Sequence, residues 1–268
     1  MGESNIRRWL KVNEDNKNAY EGLELYFFEE NTAPDDEILK WLNDAILHSR
    51  FPEGLIDDLK KFYDTEKVNE RFIEPGLPTY DFLRKGFFGE TLIGETLIHF
   101  FDYIIPVKKN QYAILANQTL PRTDIIVVKT NEETISEVCY VEVKYRTSKD
   151  TLAGVEGYNQ LKKDYTKAIP ELFSWILARL YQQNDPLFPL FRDYIFDKRD
   201  TRDIEKNLVG LVYDSDNWST KVFTNLSEEV SRNEDKEVIV TFVRVAELEK
   251  LTKDIFDNIG VVEVIDDE

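Results

Sequence analysis

The strongest constraint in the chain is a pair of short apolar runs with a polar stretch between them. Asp124–Lys129 reads Asp-Ile-Ile-Val-Val-Lys, and Val138–Lys144 reads Val-Cys-Tyr-Val-Glu-Val-Lys. Both are rich in residues that suit a pleated, half-buried surface. Thr130–Glu137 is polar and suits a hairpin loop. Residues two apart on a strand point to one face, so Glu142 and Lys144 share a face. A hairpin brings the start of the first strand beside the end of the second, which sets Asp124 near both. Tyr140, Val141 and Val143 flank the pair, so the strand is apolar enough to be central. On an exposed strand, Glu-x-Lys is an ordinary solvated face; a central strand carries those charges only for a reason.

The chemistry follows from charge. Two carboxylates a few ångströms apart repel unless a cation sits between them. Mg²⁺ or Mn²⁺ takes such hard oxygen ligands, usually one or two carboxylates with water and substrate phosphate. A lysine beside the ion can orient water or stabilise charge developing on phosphate. The pattern therefore points to metal-dependent hydrolysis of a phosphodiester.

The surrounding sequence supplies the frame. Tyr26–Glu30 ends a short strand, and Asp35–Leu47 repeats apolar residues with helical spacing, with acidic residues in its first turn, where the helix dipole favours them. Leu55–Phe62 continues in the same style, and Glu74–Pro78 breaks the pattern as a connection. Residues 81–105 form a helix on Ile93, Leu97, Phe100 and Ile104; no Gly-Lys-Ser/Thr follows its glycines, so they are not a phosphate loop. Tyr112–Ala116 is a further strand expectation, weaker than the other two. Leu152–Gln183 is helical, restarted by Pro170, and Asn184–Pro189 is a loop. Strands at Leu208–Tyr213 and Glu237–Val245, a helix at Ala246–Phe256 and a final strand at Gly260–Ile265 complete the expectation. Helices alternating with strands predict an α/β fold with a central mixed β-sheet flanked by helices. Residues 1–80 read as an N-terminal α+β elaboration and possible partner-binding region, and 81–268 as the domain that carries the chemistry.

Composition narrows the functional classes. The chain has 268 residues, 34 Lys+Arg, 52 Asp+Glu and a net charge of −18. With 17 Phe, 13 Tyr and 4 Trp it has material for a real core, which excludes wholesale disorder. One cysteine, Cys139, excludes an internal disulfide framework and a cysteine-based zinc site. No apolar run is long enough for a membrane helix and the first residues lack a signal-peptide pattern, so a cytoplasmic setting is expected. His48 and His99 are too few and too distant for a histidine metal site. A net −18 argues against DNA binding through the general field. The excess is uneven, however. Residues 1–80 hold 10 basic and 18 acidic residues, whereas Lys144–Pro170 holds six basic and three acidic. Lys108, Lys109, Arg122 and Lys129 form a second basic cluster, so a modest basic lane around the site is expected.

Asp124, then Glu142-Val143-Lys144 on the next strand, with a helix before and after, resembles the PD-(D/E)xK nuclease superfamily over roughly residues 84–170. Thr123-Asp124 stands where that superfamily writes Pro-Asp or Gly-Asp. The resemblance implies a restriction-endonuclease-like core, Mg²⁺ or Mn²⁺, and phosphodiester hydrolysis. Lys85-Gly86-Phe87-Phe88-Gly89-Glu90 is also similar to the Arg-Gly-x-x-Gly-Glu helix start of HamA, the nuclease subunit of Hachiman anti-phage systems. Pro106-Val107-Lys108 and Thr123-Asp124-Ile125 match further segments, and Glu142-Val143-Lys144 stands in place of Glu-Ser-Lys. That family's Gly-Phe-Asp-Ala and middle-strand histidine are absent. This resemblance implies DNA as substrate and a helicase subunit as partner.

The expected site is then specific. Asp124 and Glu142 hold the ion, with the Val143 carbonyl completing the set. Lys144 activates water or stabilises the pentavalent phosphate. Glu90 assists from the helix, sharing a face with Ile93, Leu97 and Phe101; Glu95, on a more polar face, is the alternative. Gln160, with Lys163 behind it, is the polar residue on the following helix. The competing reading is a non-catalytic acidic interaction protein or DNA mimic on a nuclease-like scaffold.

Overall fold

The computed structural model describes residues 4–13, 17–118, 123–165, 169–196, 204–233 and 238–259. Its centre is a six-stranded mixed sheet of strands β1 (Leu10–Asn13), β2 (Leu23–Glu30), β3 (Ile125–Thr130), β4 (Ile135–Arg146), β5 (Glu205–Asp214) and β6 (Val238–Val245), in the order β1-β2-β6-β5-β4-β3. The outer pairs β1–β2 and β3–β4 are antiparallel. The inner pairs β2–β6, β6–β5 and β5–β4 are parallel. Parallel strands are covered on both faces and read as continuous apolar runs. β5 and β6 fit that rule: Leu208, Val209, Leu211, Val212, Val240, Phe242 and Val243 are all fully buried.

Helices cover both faces, giving the expected α/β architecture. Before the site come α1 (Asn5–Trp9), α2 (Asp36–Arg50), the short α3 (Leu55–Lys60), α4 (Thr65–Val68) and α5 (Glu74–Gly76), and the long α6 (Asp81–Phe101). After it come α7 (Ala153–Tyr165), α8 (Ile169–Gln183), α9 (Leu187–Phe196), α10 (Lys221–Arg232) and α11 (Leu248–Asn258). One core layer joins Leu42, Ile46, Phe88, Leu92, Leu97 and Ile255 to Val141 and Val243 of the sheet. The other joins Tyr158, Leu161, Phe191, Phe223 and Leu226 to Tyr140 and Val209.

Local chemistry explains the elements that frame the site. α2 starts where the Asp35 side chain accepts the Ile38 N–H at 2.9 Å, and it buries Ile38, Leu42 and Ile46. The side chain satisfies one of the helix's orphan donors. α6 ends at Phe101, short of the expected 105, because Asp102 turns left-handed with φ 57°. Ile104 then leaves the helix to bridge Val128.

Several expectations need correction. Tyr112–Ala116 is not a strand; a 3₁₀ turn at Lys109–Tyr112 occupies that region, and Gln118 Oε1 holds the next turn by accepting from the Ile114 N–H at 2.8 Å. The β3–β4 loop is shorter than Thr130–Glu137: the Asn131 side chain accepts the N–H groups of Glu133 and Thr134, so β4 resumes at Ile135. This is an Asx-type turn, in which a short side chain replaces a backbone acceptor. Asn184–Pro189 is only partly a loop, since α9 begins at Leu187. α10 was not anticipated. Pro170 sits in the first turn of α8, as expected of a restart. The strand expected at Gly260–Ile265 lies outside the described residues.

Candidate active site

The hairpin delivers the expected convergence. β3 and β4 pair with Ile125 opposite Val141 and Ile126 opposite Tyr140. Continued by one residue, that register sets Asp124 opposite Glu142. The Val143 N–H donates to Asp124 Oδ2 at 2.8 Å, which ties the head of β3 to the β4 backbone just past the last ladder pair. Glu142 is buried, and its Oε1 accepts from Lys144 Nζ at 2.8 Å. The pair is therefore not a solvated strand face: β4 lies between β3 and β5, and the Glu142 side chain is 8% exposed against 20% for Lys144.

Gly157 of α7 makes room for that pair. A Cβ added there would lie 3.7 Å from Lys144 Cγ, 3.8 Å from Glu142 Cγ and 3.0 Å from Val209 Cγ1. A glycine inside a helical pattern often marks such a close approach, and this was the sequence signal available. Gln160 follows one turn later on the same helix, half-buried, and Lys163 is exposed.

Glu90 approaches from α6. It lines a cleft of about 230 Å³ together with Asp124, Arg50, Lys109, Asn110 and Phe82. Its carboxyl is pushed up to about 8, first by burial and then by the Asp124 charge. Lys109 and a hydrogen bond from Asn110 oppose the rise, and Glu142 adds to it. Burial and two neighbouring carboxylates thus favour the protonated form of Glu90. The alternative helix acid, Glu95, instead contacts His99 Nε2 at 3.3 Å.

The loop after α6 and the end of α2 hold the residues that the sequence pattern does not mark. Asn110 Nδ2 donates to Glu90 Oε2 at 3.0 Å. The Asn110 carbonyl in turn accepts from the buried Arg50 guanidinium at 2.6 Å, and Arg50 also donates to the Gly76 carbonyl at 2.7 Å. Lys109 Nζ donates to the Thr123 carbonyl at 3.1 Å, immediately before Asp124. Lys109 was visible as part of a basic cluster; nothing in the spacing marked Asn110 or Arg50.

The basic lane is partly neutralised. Arg146 bonds Asp150 and Glu156 at 2.5 and 2.6 Å, and Lys144 bonds Glu142. Lys162 lies over the Tyr158 ring. Arg122 lies outside the described residues.

A divalent ion fits the donor chemistry. Asp124 and Glu142 offer hard carboxylate oxygens from facing positions of the hairpin, and the charge of each raises the Glu90 carboxyl. Among the described residues no group of three or more His, Cys, Asp or Glu is gathered to hold a metal.

A family model for HamA matches residues 4–259, nearly the whole chain. The chain belongs to the HamA family. HamA is part of the Hachiman anti-phage system, so this HamA-type chain is a Hachiman defence component. The match runs from just before α1 to just past α11, so residues 4–80 fall within it. No curated protein matches the chain. Among the described residues, no helix is long and apolar enough to cross a membrane.

Proposed function

We propose that this HamA-family chain is a Mg²⁺- or Mn²⁺-dependent nuclease of the PD-(D/E)xK type, hydrolysing DNA as the effector subunit beside a helicase partner in the cytoplasm. One observation carries the reading: Asp124, Glu142 and Lys144 converge at the open end of the β3–β4 ladder, with the Val143 backbone between them.

Each residue has a task its geometry supports. Asp124 and Glu142, with the Val143 carbonyl, are the ligands. The ion would polarise the scissile phosphate and lower the pKa of an attacking water. Lys144, held by Glu142, presents an ammonium where charge develops on the phosphate oxygens. Glu90 holds a proton on its carboxyl near neutral pH and can surrender it when positive charge enters the cleft. Gln160 supplies a polar contact from α7. A chain of net −18, in which Lys144 and Arg146 beside the site are already ion-paired, should bind naked duplex poorly. A partner that delivers DNA answers that deficit. The same partly neutralised lane is what favours the second reading, an acidic binding protein without catalysis.

The test is plasmid cleavage by the chain together with its helicase partner. Wild type should cut in Mg²⁺ and lose the activity in EDTA. Glu142→Ala and Lys144→Ala should each fall at least about 100-fold, the scale of losing one transition-state contact. A wild type that cuts no better than these variants in Mg²⁺ or Mn²⁺ would leave only the binding reading.

A further inference from the structure

Tyr80 and Phe82 stand at the start of α6 with their rings nearly parallel, 7° apart, and their centroids 6.0 Å apart. They are 57% and 69% exposed. Their mounting is rigid. Thr79, just before them, donates its N–H to Asn117 Oδ1 at 2.9 Å, and Arg84 donates to the Pro78 carbonyl at 2.9 Å. Phe82 also lines the cleft that holds Asp124 and Glu90. Phe82 thus joins the aromatic pair to the proposed cleavage cleft.

We infer that this pair is a stacking platform for unpaired bases, so that the substrate enters as a single strand. The inference rests on the nuclease reading and deepens it by naming the substrate class. Two observations and the chemistry of stacking select this occupant. The platform opens into the cleft of the carboxylates, so what lies on it must continue to the phosphate being cut. Neighbouring cations are already engaged: Lys85 bonds Asp81 and Glu249, and Arg84 bonds Asp257. Charge therefore gives little hold on a duplex, and affinity must come from ring contact. Base faces are available for that contact only when the strand is unpaired, and aromatic stacking accepts every base.

The test measures binding of a fluorescent oligo(dT) to the full chain in EDTA, where no turnover occurs. Wild type should bind oligo(dT) more tightly than a duplex of equal length, and an abasic strand should lose the preference. Tyr80→Ala and Phe82→Ala should each weaken oligo(dT) binding by about 5- to 150-fold. Tyr80→Phe and Phe82→Trp, which keep a ring, should restore it. Variants that bind oligo(dT) as wild type does would overturn the inference, as would equal binding of abasic strand. Loss of helicase association with oligo(dT) binding intact would make the surface a protein dock and overturn it too. Because binding is read without hydrolysis, none of these outcomes depends on whether Glu142→Ala abolishes cleavage.

Discussion

The backbone N–H of Val143 donates to Asp124 Oδ2 across 2.8 Å, so the residue that opens β3 also closes the β3–β4 ladder. One carboxylate therefore serves the fold and the proposed chemistry, and two substitutions separate those roles. Asp124→Asn keeps an acceptor for Val143 and should melt near wild type. Asp124→Ala loses that bond and should cost about 1 kcal/mol. Both should be inactive, because neither offers a metal a charged oxygen. Thermal melts and cleavage assays on the same preparations check this.

The Glu142–Lys144 pair predicts an asymmetry in stability. The Glu142 side chain is 8% exposed, so Lys144→Met strands a nearly buried charge. Removing one partner of a buried pair costs about 3–5 kcal/mol; the partial exposure of Lys144 places this case near or below the low end. Glu142→Gln leaves an ammonium that can reach water and should cost less. In urea unfolding, the double variant should be less destabilised than the sum of the singles, by about 1 kcal/mol or more. Strict additivity would mean that the two side chains are not coupled.

Glu90 gives a pH signature. Its carboxyl is raised to about 8 from an ordinary 4.5, so the folded state favours the protonated form. That stabilisation is complete below the ordinary value and is lost as pH rises towards 8. The slope is at most about 1.4 kcal/mol per pH unit. Glu90→Gln mimics the protonated form and still accepts from Asn110. In EDTA it should match wild type at pH 4 and melt higher at pH 8. Melting curves that stay parallel across this range would show that Glu90 is not strained by its neighbours.

Two glycines should respond oppositely to the same change. Nothing lies within 4 Å of a Cβ added at Gly86, so Gly86→Ala should gain up to about 1 kcal/mol of helix propensity. At Gly157 the new methyl meets Val209, a fully buried residue on an inner strand, at 3.0 Å. Overpacking costs roughly 1–3 kcal/mol and outweighs that gain. Gly157→Ala should therefore destabilise the protein and displace the Glu142–Lys144 pair, lowering activity. Paired denaturation curves decide this.

Much of the fold was legible because β3, β4 and α6 carry their pattern locally. The Asp124, Glu142 and Lys144 grouping followed from strand alternation plus one hairpin. Sheet order was not legible: β2, near the N-terminus, lies beside β6, and no local period encodes a pairing between residues 23 and 238. α10 was within reach of the sequence, since Val222, Phe223, Leu226 and Val230 repeat at helical spacing, yet the polar residues among them obscured it. Tyr112–Ala116 misled in the other direction, having strand-like residues without a partner strand. Asn110 and Arg50 act on Glu90 and on the loop through single long-range hydrogen bonds, which leave no trace in spacing. The −18 charge argues against DNA binding through the general field, and the cations nearest the site, Lys144 and Arg146, are ion-paired and do not offset it.

The central claim is that one divalent ion sits between two named carboxylates. Crystals of the protein soaked in Mn²⁺ and measured at the manganese absorption edge test it most directly. An anomalous peak is expected in contact with Asp124 and Glu142, beside the Val143 carbonyl, and should be lost in Asp124→Asn. Occupied manganese elsewhere with none at these carboxylates, or a peak that survives that substitution unchanged, would contradict it.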